Sequence, residues 1–131
     1  MTVYARTLWD RALRAAKAAE KNLQIDPDTA ASRAYYAAFY AASAHFALQD
    51  RTFDKHTALE AAVHRDLVHS GLWPQELGAA YSRLMQLRAR GDYGGAQHVS
   101  VKDAEQAVRF ATEVLRAVAQ AHPGEFASLP E

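Results

Sequence analysis

Residues 32–46 read SRAYYAAFYAASAHF, and this stretch decides the fold class. Of the fifteen residues from 34 to 48, only Ser43 and His45 are not hydrophobic. A helix that is apolar on nearly every side is buried, either at the centre of a bundle or with one side covered by another subunit. A domain of this size seldom surrounds a helix completely. The stretch therefore predicts a helix over about residues 29–49, and a homodimer formed through this second helix.

The periodicity of apolar residues predicts four further helices around this central one. Prolines and glycines mark the ends of the segments, and Asp28, Thr29 and Ser100 are suited to cap helix N-termini. The connections are short, which places neighbouring helices antiparallel. We therefore expect an all-α fold, an antiparallel up-down bundle of four or five helices. The further helices are expected over about residues 3–23, 55–69, 74–90 and 100–121.

Length and composition fit a single domain. With 131 residues, half of them hydrophobic and 23% charged, the chain has room for one globular core. We expect this domain to span residues 1–122, followed by a loose C-terminal tail over residues 123–131. The chain has no cysteine, which excludes disulfides and thiolate metal sites. It also lacks an apolar run long enough for a membrane span or a signal peptide, so we expect a cytoplasmic protein without a membrane partner.

Three residues on the predicted third helix form a candidate metal site. His56, Glu60 and His64 are four residues apart and share one helix face, a geometry able to hold a metal ion. The alternative is a solvated helix face, because no matching ligand pair stands out on another helix. We therefore expect neither a metal nor another cofactor.

His45, on the apolar helix, is expected to be a hydrogen-bonded core histidine, the alternative being a catalytic group.

The stretch from Arg83 to His98 concentrates polar groups around a helix end and a glycine-rich loop over residues 91–98. The formal charges of the whole chain cancel, but eleven of its fifteen basic residues are arginines, which suit bidentate contact with phosphate. In this stretch arginines can hold phosphate, a histidine can act as acid or base, and a tyrosine can stack on a base. The alternative is a solvated helix C-terminus. The residues concerned are Arg88, Arg90, Asp92, Tyr93 and His98.

Several segments resemble the HEPN domain family. Residues 31–42, ASRAYYAAFYAA, are similar to the signature of the second helix in HEPN proteins, particularly in their small stand-alone branch. The resemblance covers about residues 5–118 and implies a HEPN-like antiparallel helical bundle that forms homodimers. Further similar segments follow in the same order along the chain: Lys55-His56, Gly71-Leu72-Trp73-Pro74, Leu87-Arg88 and Asp92-Tyr93.

The resemblance also implies a function. HEPN proteins are often encoded beside a minimal nucleotidyltransferase, the two forming a toxin and antitoxin pair, and many are metal-independent endoribonucleases. In those enzymes an Arg and a His separated by four to six intervening residues, and contributed by both subunits, face a cleft at the dimer interface. The implied chemistry is attack of the RNA 2′-OH on the adjacent phosphate, with His as acid or base and Arg on the phosphate oxygens.

This chain departs from the family's Arg/His motif. Counting from Arg88, Tyr93 stands where the histidine is first expected, and His98 follows Arg88 after nine intervening residues. We expect catalysis by Arg88, Asp92 and His98, with the glycine-containing loop folding His98 back towards the arginines. In some toxin pairs the antitoxin adenylylates a tyrosine close to this motif, which makes Tyr93 a candidate for adenylylation.

The leading hypothesis is a HEPN toxin-like protein that binds RNA at a homodimer cleft and cleaves it as a metal-independent endoribonuclease. The alternative is a non-catalytic interaction module that acts through its dimer or through a nucleotidyltransferase partner, since the motif spacing is altered. The residues expected to bind RNA or nucleotide are Arg33, Tyr36, Arg90 and Tyr93.

Overall fold

The computed structural model describes residues 2–129 of the chain. All regular structure in this part is helical, without a strand among the described residues, which confirms the all-α prediction. No helix within residues 2–129 combines the length and the hydropathy needed to cross a membrane. A π-helical segment, Val63–Val68, directly continues the third helix. The five α-helices are α1 (Thr2–Asn22), α2 (Pro27–Ala47), α3 (His56–Ala62), α4 (Gln75–Tyr93) and α5 (Val101–Ala121).

Helix α2 lies at the centre of the bundle and packs against α1, α4 and α5. Its N-cap is Asp26 and not Asp28 or Thr29 as predicted: Asp26 accepts a hydrogen bond from the Thr29 N–H at 3.4 Å and another from the Thr29 hydroxyl at 2.6 Å. Pro27 occupies the first turn, where its missing N–H costs nothing. Most residues of the helix are buried. The central position predicted from its apolar composition is confirmed.

The surroundings of α2 come largely from its own chain. The alanines expected to allow close helix approach are fully buried within the protomer: Ala37, Ala38, Ala41 and Ala42. The apolar character of α2 therefore does not by itself require a second subunit. Larger residues form one partly exposed row along the helix, which we call the α2 stripe: Arg33, Tyr36, Phe39, Tyr40 and Ser43.

Helix α4 is longer than predicted, because it ends at Tyr93 instead of near Arg90. The sequence predicts a loop from Gly91, but this glycine lies inside the helix. A Cβ at position 91 would be 2.8 Å from the backbone oxygen of Asp28, so the absent side chain lets α4 pass close to the start of α2. The extra turn keeps residues 88–93 on one rigid element.

The predicted third helix over residues 55–69 changes its hydrogen-bonding pattern half-way. It is α-helical over α3 and π-helical from Val63 to Val68. The π-helical segment lies against Gly78 of α4. A Cβ at position 78 would be 2.6 Å from the Val68 side chain and 3.1 Å from the His64 ring. Such π-helical turns are set by local packing and hydrogen bonding, which periodicity alone does not indicate.

The C-terminal segment packs onto the bundle, unlike the loose tail expected over residues 123–131. Phe126 is 2% exposed, and its ring stacks on Trp9 of α1 with centroids 5.0 Å apart and planes at 19°. Just before it, His122 forms a 2.8 Å hydrogen bond with the buried His45. These contacts hold the segment to the core as far as Leu129. Residue 1 and the last two residues, 130 and 131, lie outside the described part.

Candidate functional site

The side chain of Arg88 connects α4 to α2. One terminal nitrogen of its guanidinium donates to the Tyr36 hydroxyl at 3.1 Å and to the Tyr93 hydroxyl at 3.3 Å. Its Nε forms an ion pair with Asp92, one turn further along α4, at 3.0 Å. The structure thus brings together four of the residues predicted from sequence, and we call them the Arg88 cluster: Tyr36, Arg88, Asp92 and Tyr93.

Aromatic rings surround the guanidinium of this cluster. The Arg88 carbon Cζ lies 5.3 Å from the ring centre of Tyr93, 5.5 Å from that of Tyr36 and 5.8 Å from that of Tyr35. Arginine is attracted to the faces of aromatic rings over such distances. Arg33, one turn before Tyr36, lies over the Tyr36 ring at 4.9 Å. The guanidinium groups of Arg33 and Arg88 therefore both lie against the ring of Tyr36.

A histidine that we did not place in the site from sequence lies beside the cluster. His56, at the start of α3, has its Nδ1 2.6 Å from the Tyr35 hydroxyl. Its ring centre lies 4.8 Å from that of Phe39 and 5.8 Å from that of Tyr36. Burial and the positive charge of Arg88 lower the pKa of His56. The signal present in the sequence is the Lys55-His56 pair of the family resemblance, but no spacing rule joins residue 56 to residue 88.

The histidine predicted to be catalytic lies elsewhere. His98 Nδ1 is 2.6 Å from Asp28 at the start of α2, and the same carboxylate accepts the Val99 N–H at 2.7 Å. Hydrogen bonding to Asp28 raises the pKa of His98. Within residues 2–129 His98 forms neither a hydrogen bond nor an ion pair with Arg88. The glycine-containing loop therefore ties His98 to α2 and does not bring it into the Arg88 cluster.

Arg90 also faces away from the cluster. Its guanidinium pairs with Asp103 of α5 at 3.3 Å, and Arg83 approaches the same carboxylate at 3.8 Å. These contacts join α4 to α5. Of the arginines in the stretch from 83 to 98, Arg88 is the one directed towards α2.

The three residues of the candidate metal face separate into two groups. His56 faces Tyr35, whereas the Ser82 hydroxyl of α4 donates to Glu60 at 2.6 Å and lies 2.8 Å from His64 Nε2. Among the described residues no group of three His, Cys, Asp or Glu side chains is arranged to hold a metal ion. The face is not simply solvated, because its polar groups bond to α2 and α4. His45 is buried and hydrogen-bonded, as expected for a core histidine.

Two clefts of about 330 and 550 Å³ extend from the α2 stripe towards α1. Both are lined by Arg11 and Tyr40, and the Arg11 guanidinium lies 5.9 Å from the Tyr40 ring centre. The Tyr40 ring in turn lies 6.0 Å from that of Tyr36 in the Arg88 cluster. A continuous row of arginines and aromatic rings thus leads from the cluster to these clefts. Further arginines line them: Arg14 and Arg33 in the larger cleft and Arg51 in the smaller.

Comparison with known proteins assigns a family to this arrangement. The HEPN domain family matches residues 5–121. A UPF0332 protein of Thermotoga maritima is 34% identical over 90 residues, which cover 69% of this chain and 68% of that protein. The UPF0332 protein glr0978 of Gloeobacter violaceus is 32% identical over 128 residues, covering 92% of this chain and 100% of that protein. The chain belongs to the HEPN domain family.

Proposed function

We propose that this protein is a toxin-like HEPN protein that binds RNA, with the Arg88 cluster as the site that holds an RNA phosphate. The observation that carries the proposal is the position of Arg88. Its guanidinium is held between two tyrosine hydroxyls and Asp92, with His56 next to the same rings, and its side chain remains 20% exposed. A preorganised guanidinium of this kind suits a phosphate diester.

The row of arginines and aromatic rings beyond the cluster supports RNA as the ligand. Single-stranded nucleic acids bind to grooves in which cationic side chains follow the backbone and aromatic rings stack on bases. In the larger cleft Arg11, Arg14 and Arg33 are accompanied by one acidic residue, Asp10. The net charge of the whole chain is zero, but the lining of this cleft carries three arginines against that one acidic residue. Arg90, which pairs with Asp103, is left out of the RNA-binding set that we propose.

For RNA cleavage we propose Arg88 and His56 as the central pair. Arg88 would hold the phosphate oxygens, Asp92 would orient Arg88, and His56 replaces His98 as the imidazole nearest to the reacting phosphate. The reason for this change is that His98 is tied to Asp28, whereas His56 shares Tyr35 and Tyr36 with Arg88.

We propose a homodimer as the functional unit, formed through the helix 2 region so that the α2 stripe lines the cleft between the two subunits, and a minimal nucleotidyltransferase as antitoxin. Tyr93 is the proposed acceptor of the nucleotide, because its side chain is 73% exposed and its hydroxyl lies next to Arg88. Transfer of a nucleotide to that hydroxyl would place the phosphate of the nucleotide next to Arg88 and so block the binding of RNA there. The cytoplasmic location belongs to the same proposal. A monomer in light scattering at micromolar concentration would exclude the dimer.

The second candidate function is a non-catalytic interaction module that works through its dimer or through the nucleotidyltransferase. Two observations favour it: His98 is held away from Arg88, and the exposed Tyr93 is accessible to a partner enzyme. In this case the Arg88 cluster binds the partner's nucleotide or RNA without breaking a bond.

The two candidates differ in one experiment. The purified protein is incubated with total RNA in EDTA, and binding of a single-stranded RNA oligonucleotide is measured in parallel by fluorescence anisotropy. We expect Arg88→Ala to weaken binding at least roughly tenfold, while Arg109→Ala, which removes an exposed arginine of α5, leaves it within about twofold.

Fragments produced by the wild type but not by Arg88→Ala would establish cleavage. Binding without fragments would support the non-catalytic module. Equal RNA affinity of wild type and Arg88→Ala would contradict the placement of phosphate on Arg88.

A further inference from the structure

We propose that Tyr35 is a positioning residue that fixes His56 as a neutral imidazole carrying its proton on Nε2, so that His56 serves as a hydrogen-bond donor to phosphate beside Arg88. The inference rests on the proposed function, since it concerns how the Arg88 site meets a phosphate group. It goes further in giving His56 a defined protonation state and a defined role.

The hydrogen bond between Tyr35 and His56 carries the argument. The Tyr35 hydroxyl lies 2.6 Å from His56 Nδ1, and the Tyr35 side chain is 1% exposed. At this distance one of the two groups donates and the other accepts. Either the phenol donates to Nδ1, or an Nδ1–H donates to the phenolic oxygen. The second case would leave the buried phenol proton in need of another acceptor.

The groups around Tyr35 decide between the two cases. The Tyr35 hydroxyl has no hydrogen-bonding partner other than His56 at accepted geometry within residues 2–129. The ring centre of Tyr81 lies 6.2 Å from that of Tyr35, and the buried Tyr81 hydroxyl has no hydrogen-bonding partner at such geometry. It is still near enough to lower the pKa of Tyr35, as a donor to the phenolic oxygen does, so Tyr81 is not the acceptor that the Tyr35 proton would need. Burial raises the pKa of Tyr35, so the phenol keeps its proton. The Tyr35 O–H therefore donates to Nδ1.

The state of the second ring nitrogen follows from this assignment. Burial and the charge of Arg88 lower the pKa of His56, which favours the neutral ring. A neutral imidazole carries one N–H, and since Nδ1 accepts a hydrogen bond, the proton is on Nε2. Nε2 forms no hydrogen bond with the described residues and is the nitrogen left for a ligand.

The chemistry of the site follows from that proton. Arg88 and His56 both present N–H groups, which is the requirement for binding an anionic phosphate oxygen. An Nε2 that already carries a proton cannot accept one from a ribose 2′-OH. His56 thus stabilises the negative charge of a phosphate and does not act as the general base.

Nuclear magnetic resonance of the protein with ¹⁵N-labelled histidine tests the tautomer directly. In a two-bond ¹H–¹⁵N correlation spectrum near neutral pH, we expect His56 to show the pattern of the Nε2–H form, with assignment by His56→Gln. Tyr35→Phe is expected to convert this pattern to a mixture of tautomers. Tyr40→Phe, which removes a hydroxyl from another ring of α2, is expected to leave it unchanged. A Nδ1–H or doubly protonated ring in the wild type would overturn the proposal.

Titration with inorganic phosphate tests the role. We expect saturable shifts of the His56 Nε2 signal, and an affinity reduced roughly three- to tenfold in Tyr35→Phe. Phosphate that leaves the His56 signals of the wild type unchanged would overturn the donor role. If RNA fails to bind while the tautomer and the phosphate shifts are as expected, the proposed function fails and this inference stands. The wild-type spectrum decides the tautomer even if Tyr35→Phe does not fold.

Discussion

The guanidinium of Arg88 is fixed more by the tyrosines around it than by its ion pair. Hydrogen bonds to a charged group contribute about 1.5–3 kcal/mol, whereas an ion pair that water still reaches, such as the half-buried Arg88–Asp92 pair, contributes roughly 0–1 kcal/mol. Of the two hydroxyls, that of Tyr36 is the nearer at 3.1 Å and the less exposed. We therefore regard Tyr36 as the residue that sets the direction of Arg88.

Separate substitution of His56 and His98 distinguishes their roles. We expect His56→Phe to weaken binding of single-stranded RNA by about tenfold, because it removes a donor beside Arg88 and keeps an aromatic ring at this position. We expect His98→Gln to change RNA affinity less than about twofold, since His98 bonds to Asp28. Fluorescence anisotropy measures the affinity, and thermal unfolding checks that both variants fold. A larger loss of affinity for His98→Gln than for His56→Phe would contradict this assignment.

At the scale of the helices, sequence reasoning succeeded where periodicity is strong and failed where a tertiary contact decides. The bounds of α2 and α5 agree with the predictions to within about two residues, because caps and apolar spacing mark them. The end of α4 was placed too early. From sequence alone, a glycine that ends a helix cannot be distinguished from a glycine such as Gly91, which lets two helices come close together. The position of His56 next to the Arg88 cluster was missed for a related reason: His56 and Arg88 lie on different helices, and each bonds to a tyrosine of α2.

Gly91 gives the clearest prediction about the packing of one helix on another. Alanine in place of glycine inside a helix ordinarily stabilises by about 0.5–1 kcal/mol. At position 91 the new Cβ would meet the Asp28 backbone at 2.8 Å, and backbone cannot rotate aside as a flexible side chain can. We expect Gly91→Ala to lower the free energy of unfolding by about 1–3 kcal/mol, as overpacking does.

Urea denaturation monitored by circular dichroism measures that change. The control is Gly124→Ala, where a Cβ would meet nothing within 4 Å and which we expect to be nearly neutral. An increase in stability for Gly91→Ala would show that α4 can shift away from α2 at little cost.

At the scale of the whole molecule, the polar pair formed by His45 and His122 makes stability depend on pH. Burial, followed by the charge of His122, lowers the pKa of His45 from its ordinary 6.5 to about 4, and burial also lowers the pKa of His122. In the unfolded chain both rings take up protons near their ordinary pKa, so acid favours unfolding. The stability contribution is complete above pH 6.5 and is lost as the pH falls towards 4.

We expect the free energy of unfolding to fall by roughly 2 kcal/mol between pH 7.5 and pH 5 from His45 alone. Urea denaturation at a series of pH values measures the slope. His45→Gln should make the curve flatter in this window, whereas His69→Gln, at an exposed position, should preserve the slope of the wild type. Equal slopes for the wild type and His45→Gln would mean that the ring is protonated in the folded protein.

The stacking of Phe126 on Trp9 has a consequence for the order of events during biosynthesis. Trp9 belongs to α1, but the ring that covers it is translated only after α1 to α5. A nascent chain that stops before residue 126 therefore keeps an indole uncovered, however well its helices have formed. Because uncovered apolar surface in incomplete chains promotes aggregation, we expect forms of this protein that end before residue 126 to aggregate more readily than the chain that includes it.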